Sequence, residues 1–214
     1  PYTTLFRSVI VVLLAAGMLF IGGVKLKWFG MVLGAIASAL IYLVVFTDKL
    51  TYANNRISGW LDPFSPGAGV DTWQTRQGLY AIGSGGLWGL GLGNSRQKYL
   101  YIPEPQNDFI FSVVCEELGF IGAVIILLLF ALLIWRGMII AMKAKDKFGS
   151  LLGIGLIAQV GLQVILNIAV VTNTIPNTGI SLPFFSYGGT SLLMLLAQMG
   201  IILSISRTSN MEKS

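Results

Sequence analysis

The sequence predicts an all-α fold. We expect a polytopic membrane helix bundle of about five transmembrane helices, with a long extracellular loop carrying short interfacial helices. Three observations predict it. Of 214 residues, 55% are hydrophobic and only 11% charged, with a mean hydropathy of +0.78, whereas a soluble domain carries about 25% charged residues. Several uncharged runs reach or approach the roughly 20 residues that a helix needs to cross a hydrocarbon core. None of these runs alternates apolar with polar residues, which a barrel strand requires, so helices are left to satisfy the backbone in lipid.

The first two runs cover residues 8–24 and 28–47 and are separated by Lys25 and Lys27. A third, residues 109–135, is interrupted by the adjacent Glu116 and Glu117. Residues 148–206 carry no charge and hold the last two spans, 151–171 and 190–206. Between them lies TNTIPNTGISLPFFSYGG, whose Pro176, Pro183 and glycines end helices.

Orientation follows from the basic residues. Lys25, Lys27, Arg136, Lys143, Lys145, Lys147, Arg207 and Lys213 cluster in short segments on one side, which makes that side cytoplasmic. Loop 48–108 then faces outward, with a cytoplasmic tail at 207–214. The start, PYTTLFRS at residues 1–8, has no initiator methionine and no signal-peptide n-region, and it reads as a non-native or truncated beginning.

Composition also removes function classes. One cysteine, Cys115, excludes an internal disulfide, and the lack of histidine argues against zinc or haem ligation. The net charge of +5 sits in short loops between apolar runs, a membrane-orientation pattern rather than a nucleic-acid surface.

The long loop is rich in glycine and aromatics. Leu79, Ile82, Leu87, Leu90 and Leu92, with Trp88, suggest a short helix lying in the membrane interface. Trp60, Trp73, Trp88, Tyr99 and Tyr101 suit the headgroup layer. The run GSGGLWGLGLG superficially resembles a phosphate-cradling loop, but it lacks GxxxxGK[ST] and follows no strand, so close packing of backbone is the better reading.

At the end of this loop stands Asp108, in NDFIF, with seven uncharged residues between it and the Glu116–Glu117 pair. An acid at the mouth of a membrane helix is costly to desolvate and tends to face a polar cavity. It can equally cap the helix that follows, since an Asx side chain accepts a backbone N–H and complements the dipole. The residues alone leave both readings open. For Glu116 and Glu117 a structural pairing with neighbouring helices is favoured. Arg56, Arg96 and Lys98 read as solvated loop charges. Tyr187, Gly188 and Gly189 read most simply as a turn that opens the last helix.

Taken together, RISGWLDPF (56–64), YAIGSGGLWGLGLGNSRQKYLYIPEPQNDFIF (80–111), EELGFIG (116–122) and TIPNTGISLPFFSYGGTSL (174–192) resemble the SEDS family of bacterial cell-wall synthesis, the FtsW/RodA/SpoVE proteins of shape, elongation, division and sporulation. The resemblance covers residues 9–206, which would be the C-terminal half of a ten-helix protein. SRQKYLYIPEP and NTIPNTG look closer to the division and sporulation branch than to the elongation branch. The family's Pro-Asp-Leu-Gly segment is absent from the start of the chain, which agrees with a truncated beginning.

The resemblance implies a peptidoglycan glycosyltransferase of the bacterial plasma membrane acting on lipid II, the undecaprenyl-diphosphate disaccharide pentapeptide. It matches Asp108 to the family's extracellular catalytic aspartate, and Glu116, Glu117, Ser186, Tyr187, Gly188 and Gly189 to residues around the cavity. It implies a class B penicillin-binding protein and the division or elongation machinery as partners, and no nucleic acid. One carboxylate can act as general base on the attacking sugar hydroxyl, and inversion needs no second, nucleophilic one. The leaving diphosphate needs positive charge, from Arg56, Arg96 or Lys98 or from a divalent cation; no resident metal or other cofactor is expected. Two alternatives are a lipid II flippase and a non-catalytic scaffold for a penicillin-binding protein. A flippase needs charge along its whole crossing path, whereas here the charges gather at the outward end.

Overall fold

The computed structural model describes residues 2–25, 27–31, 60–64, 70–100 and 106–210, with side chains 2–10, 13, 70, 71, 99, 100, 209 and 210 excepted. Every regular element among them is helical, as the composition predicts. In chain order they are α1 (Tyr2–Ile21), α2 (Val70–Gly85), α3 (Gln97–Leu100), α4 (Ile110–Met142), α5 (Lys147–Val171) and α6 (Gly189–Asn210). Most of the expected second span, Arg56, Lys49, Tyr101 and Lys213 lie outside the described residues.

Helices α4, α5 and most of α6 are long and apolar enough to cross a membrane. Of these, α5 is the most enclosed, with 39% of its apolar window buried against 17% for α4 and 11% for α6. It therefore stands at the centre, with α1, α4 and α6 against it. The outer faces of α4 and α6 present Ile125, Leu128, Leu129, Leu132, Leu193, Leu196 and Leu203, all exposed. Such a surface is stable against lipid and not against water.

Helices α4 and α5 form an antiparallel hairpin. Its turn is closed by Asp146, whose Oδ2 accepts the Gly149 N–H at 2.7 Å and so caps α5. Small residues let the two helices approach closely: a Cβ on Gly137 would collide with Ile157, and one on Gly153 would stand 2.8 Å from Ala141. Helix α6 is tied to α5 by Gln198 Nε2 donating to Gln159 Oε1 at 3.3 Å. Met18 of α1 lies over Gly155 of α5, beside a cavity of about 530 Å³ lined in part by Gln159, Gln163 and Ser181.

Two expectations are corrected. The apolar stretch from Leu79 to Leu92 is not one interfacial helix: α2 ends at Gly85, and Gly86, Gly89, Gly91 and Gly93 all have positive φ, between 54° and 96°. Helix α4 is longer than the predicted span and is broken. At 33 residues it would measure about 50 Å if straight, against a hydrocarbon core of about 30 Å. Its backbone leaves helical geometry at Gly119 (φ 69°, ψ −171°), directly after the glutamate pair. The first turns, residues 110–118, thus form a separate short helix above the main span.

Candidate functional site at the start of α4

The break at Gly119 and the glycine run are one structure. A break in a helix strands carbonyls before it and amides after it, and in lipid each stranded group costs several kcal/mol. Here the loop after α2 supplies the partners. The Leu90 and Gly91 N–H groups donate to the Glu116 and Glu117 carbonyls at 2.9 and 3.0 Å, and the Phe120 and Ile121 N–H groups donate to the Gly86 and Leu87 carbonyls at 2.8 and 3.2 Å. Backbones this close leave no room for a side chain. A Cβ on Gly85 would collide with the Cys115 carbonyl, and one on Gly89 with the Glu117 carbonyl. Close backbone packing is thus what the glycines serve.

The same approach places the glutamates. Glu116 is buried, and its carboxylate receives the Ser95 hydroxyl on Oε2, the Arg96 N–H on Oε1 at 3.0 Å and the Gln97 N–H on Oε2 at 3.4 Å. It holds the start of α3 onto α4. Glu117 Oε1 accepts Lys98 Nζ at 2.6 Å and the Ser95 N–H at 3.4 Å. The Lys98–Glu117 pair is partly exposed, so its contribution to stability is small, while its contribution to orientation is direct: it fixes where the ammonium stands. Arg96 is exposed and anchored through its main chain alone among the described contacts.

A second knot lies one helix-start away, around residues 106–109. Asp108 is half-buried, directly before Phe109, the fully buried N-cap residue of α4; the Phe109 side chain makes no capping hydrogen bond. The segment is held by its carbonyls. Tyr187 N–H donates to the Gln106 carbonyl at 2.8 Å, Ser186 Oγ to the Asn107 carbonyl at 2.6 Å, and Asn167 Nδ2 to the Asp108 carbonyl at 2.9 Å. Ser186 Oγ also accepts the Leu182 N–H at 2.7 Å, and Asn167 Nδ2 also donates to the Ile180 carbonyl at 2.7 Å. Gly189 is the first residue of α6, and Gly188 accepts the Leu192 N–H at 2.9 Å. The loop between α5 and α6 is further pinned by Trp60 and Asn173, each donating a side-chain N–H to the other's carbonyl, at 2.9 and 3.1 Å.

The structure thus brings Asp108 together with Ser186 and Tyr187, and Lys98 with Glu116 and Glu117, both at the start of α4. Arg56 lies outside the described residues. Among the described residues no cluster of three or more His, Cys, Asp or Glu is arranged to hold a metal. Sequence reading missed two residues, Ser95 and Asn167. Asn167 carried a signal: Gln159, Gln163 and Asn167 recur every four residues in an otherwise apolar helix, a polar stripe on one face.

Comparison with known proteins places this geometry. The family model of FtsW, RodA and SpoVE, described as cell cycle protein, matches residues 4–211. Stage V sporulation protein E of Bacillus subtilis (strain 168) is 48% identical over 193 residues, which cover 90% of this chain and 51% of that protein. A "Probable peptidoglycan glycosyltransferase FtsW" of Trichlorobacter lovleyi is 43% identical over 189 residues, covering 88% of this chain and 49% of that protein. Among solved structures, a chain from a peptidoglycan synthase complex that coordinates polymerization and crosslinking superposes with a TM-score of 0.67 at 28% identity, over 94% of this chain and 55% of that one. The chain spans about half the length of the curated relatives it matches.

Proposed function

Since this chain belongs to the FtsW, RodA and SpoVE family of cell cycle proteins, we propose that the full-length protein carrying it is a membrane glycosyltransferase that polymerises lipid II into peptidoglycan strands. The observation that supports this most is the carbonyl-by-carbonyl tethering of residues 106–108, which holds Asp108 at the mouth of the spanning bundle. Asp108 takes the proton from the sugar hydroxyl as that oxygen attacks the anomeric carbon of the lipid-linked donor. The bond to the diphosphate breaks as the glycosidic bond forms, on the opposite face, with inversion. Polymerisation of lipid II by the purified full-length protein, with and without Asp108, tests this reading.

The diphosphate leaves as an anion and needs a cation in place before it departs. Of the outward cations, Lys98 has the best-defined position, because Glu117 holds its ammonium. Lys98→Met is expected to lower turnover more than tenfold, about 1.4 kcal/mol of transition-state stabilisation, with Arg96→Gln costing less. Steady-state polymerisation rates check this, and wild-type turnover of Lys98→Met would shift the role to Arg56, Arg96 or a divalent ion.

The setting is the bacterial plasma membrane, with residues 48–108 outside and the α4–α5 turn in the cytoplasm. The clustering of Lys143, Lys145 and Lys147 in that short turn supports this side assignment. A cysteine at the exposed Asn94 is expected to react with a membrane-impermeant thiol reagent on intact spheroplasts, and one at the exposed Lys145 is not; the native Cys115 is buried and stays silent. Labelling at 145 and not at 94 would reverse the orientation. The partner we propose is a class B penicillin-binding protein, which would crosslink the strands as they emerge, within the machinery of division, sporulation or elongation.

A further inference from the structure

Residues 106–108 make a stretch with no regular structure, yet each of their three carbonyls is claimed by a donor from the far end of the chain. The donors differ in kind. Tyr187 uses its main chain, so any residue but proline supplies the bond there. Ser186 and Asn167 use side chains, so those two bonds depend on residue identity. Asn167 is the more telling of the two. It is fully buried in α5, the most enclosed of the spanning helices, and sits 59 residues from Asp108 in sequence. Its Nδ2 spends both hydrogens, one on the Asp108 carbonyl and one on the Ile180 carbonyl, while its Oδ1 is buried with no hydrogen-bond partner. Only the donor end is used. An apolar residue in its place would leave the Asp108 and Ile180 carbonyls without this donor, and a single Nδ2 ties the loop before α4 to the loop before α6.

We propose that Asn167 is the positioning residue for Asp108, setting the height and direction of the aspartate over the bundle, with Ser186 as the second tether one carbonyl earlier. This rests on the reading of Asp108 as general base. It goes beyond that reading by assigning the precision of the base to a residue in the membrane-embedded helix that does not touch substrate. A base held through its main chain loses rate when the tether goes, because a displacement of about 1 Å at a reacting group can cost on the order of 10²-fold. Capture of the lipid-linked donor, which depends on other contacts, is unaffected.

The test uses the full-length protein in detergent or nanodiscs, with Asn167→Leu, Ser186→Ala and Ser186→Thr. Two quantities are measured: kcat and KM for lipid II polymerisation, and hydrogen–deuterium exchange of peptides covering 106–110 and 143–147. For Asn167→Leu we expect kcat to fall ten- to hundredfold with KM within threefold, and exchange to rise at 106–110 but not at the 143–147 turn. Ser186→Ala is expected to lose three- to tenfold in kcat, and Ser186→Thr, which keeps the hydroxyl, to recover at least half of it. Unchanged exchange at 106–110 in both Asn167→Leu and Ser186→Ala overturns the proposal, as does a loss of protection throughout the protein, which would mark a purely structural role. If exchange rises locally while kcat stays at wild-type level, the positioning role is overturned, whereas failure of the general-base reading shows separately, as polymerisation by Asp108→Asn at wild-type rate. If Asn167→Leu does not fold, the Ser186 pair decides, and a wild-type kcat for Ser186→Ala overturns the positioning role.

Discussion

Asp108→Asn in the full-length protein is expected to abolish glycan polymerisation, with a loss of about 10²- to 10⁴-fold, the usual range for removing a general base. The substitution separates proton acceptance by this side chain from its place in the fold. Asparagine has nearly the volume of aspartate and the same main chain, so the Asn167 bond to the residue-108 carbonyl persists. What it lacks is a site for the proton of the attacking hydroxyl. The variant should therefore express, insert and bind lipid II like the wild type. Denaturing-gel analysis of polymer from purified protein, beside a thermal-unfolding measurement, reads both arms. Near wild-type polymer would remove the general-base role from Asp108 and leave the chemistry to another group.

The largest structural effect is expected at Gly119. Its φ of 69° with ψ of −171° lies in a region that is essentially glycine-only, costing about 1–3 kcal/mol for any other residue. In addition, a Cβ there would collide with the Gly89 amide and stand 2.6 Å from the Leu87 carbonyl, and forced overpacking adds about 1–3 kcal/mol. Gly119→Ala should push the glycine loop away and strip partners from the 116 and 117 carbonyls and the 120 and 121 amides. The Ser95 and Lys98 contacts to Glu116 and Glu117 should loosen with them, so activity falls together with thermal stability. Gly200→Ala, at a helical position with open space around it, is the control and should leave both unchanged. Equal melting temperatures for the two variants would show that the break does not depend on the loop.

Much of this molecule is written in local patterns. Apolar runs at 109–135, 151–171 and 190–206 encode helices because lipid leaves a backbone no other way to pair its polar groups. Pro176, Pro183 and the glycines before Thr190 mark where helices cannot continue. Asp108 was legible as a candidate because a carboxylate at that boundary is costly and so demands a reason. The glycine run was legible as backbone packing, but its target was not. Nothing in EELGFIG announces a helix break, since a glycine inside a helical run is usually tolerated. Reading Leu79 to Leu92 as one helix failed on the same point: apolar spacing does not reveal the positive φ of Gly86, Gly89 and Gly91, of which the first and last bond to α4 and Gly89 packs against it.

By itself, the sequence determined the helical class and the runs long and apolar enough to cross a membrane, and it singled out candidate residues, because these depend on composition and short-range periodicity. Only the tertiary structure decided that Ser95 meets Glu116, that Lys98 is held by Glu117 and that Asn167 grips the Asp108 carbonyl. These partners are separated by 21, 19 and 59 residues. A hydrogen bond acts within about 3 Å and is indifferent to sequence distance, so its partner becomes known only when the helices that carry the two groups have packed.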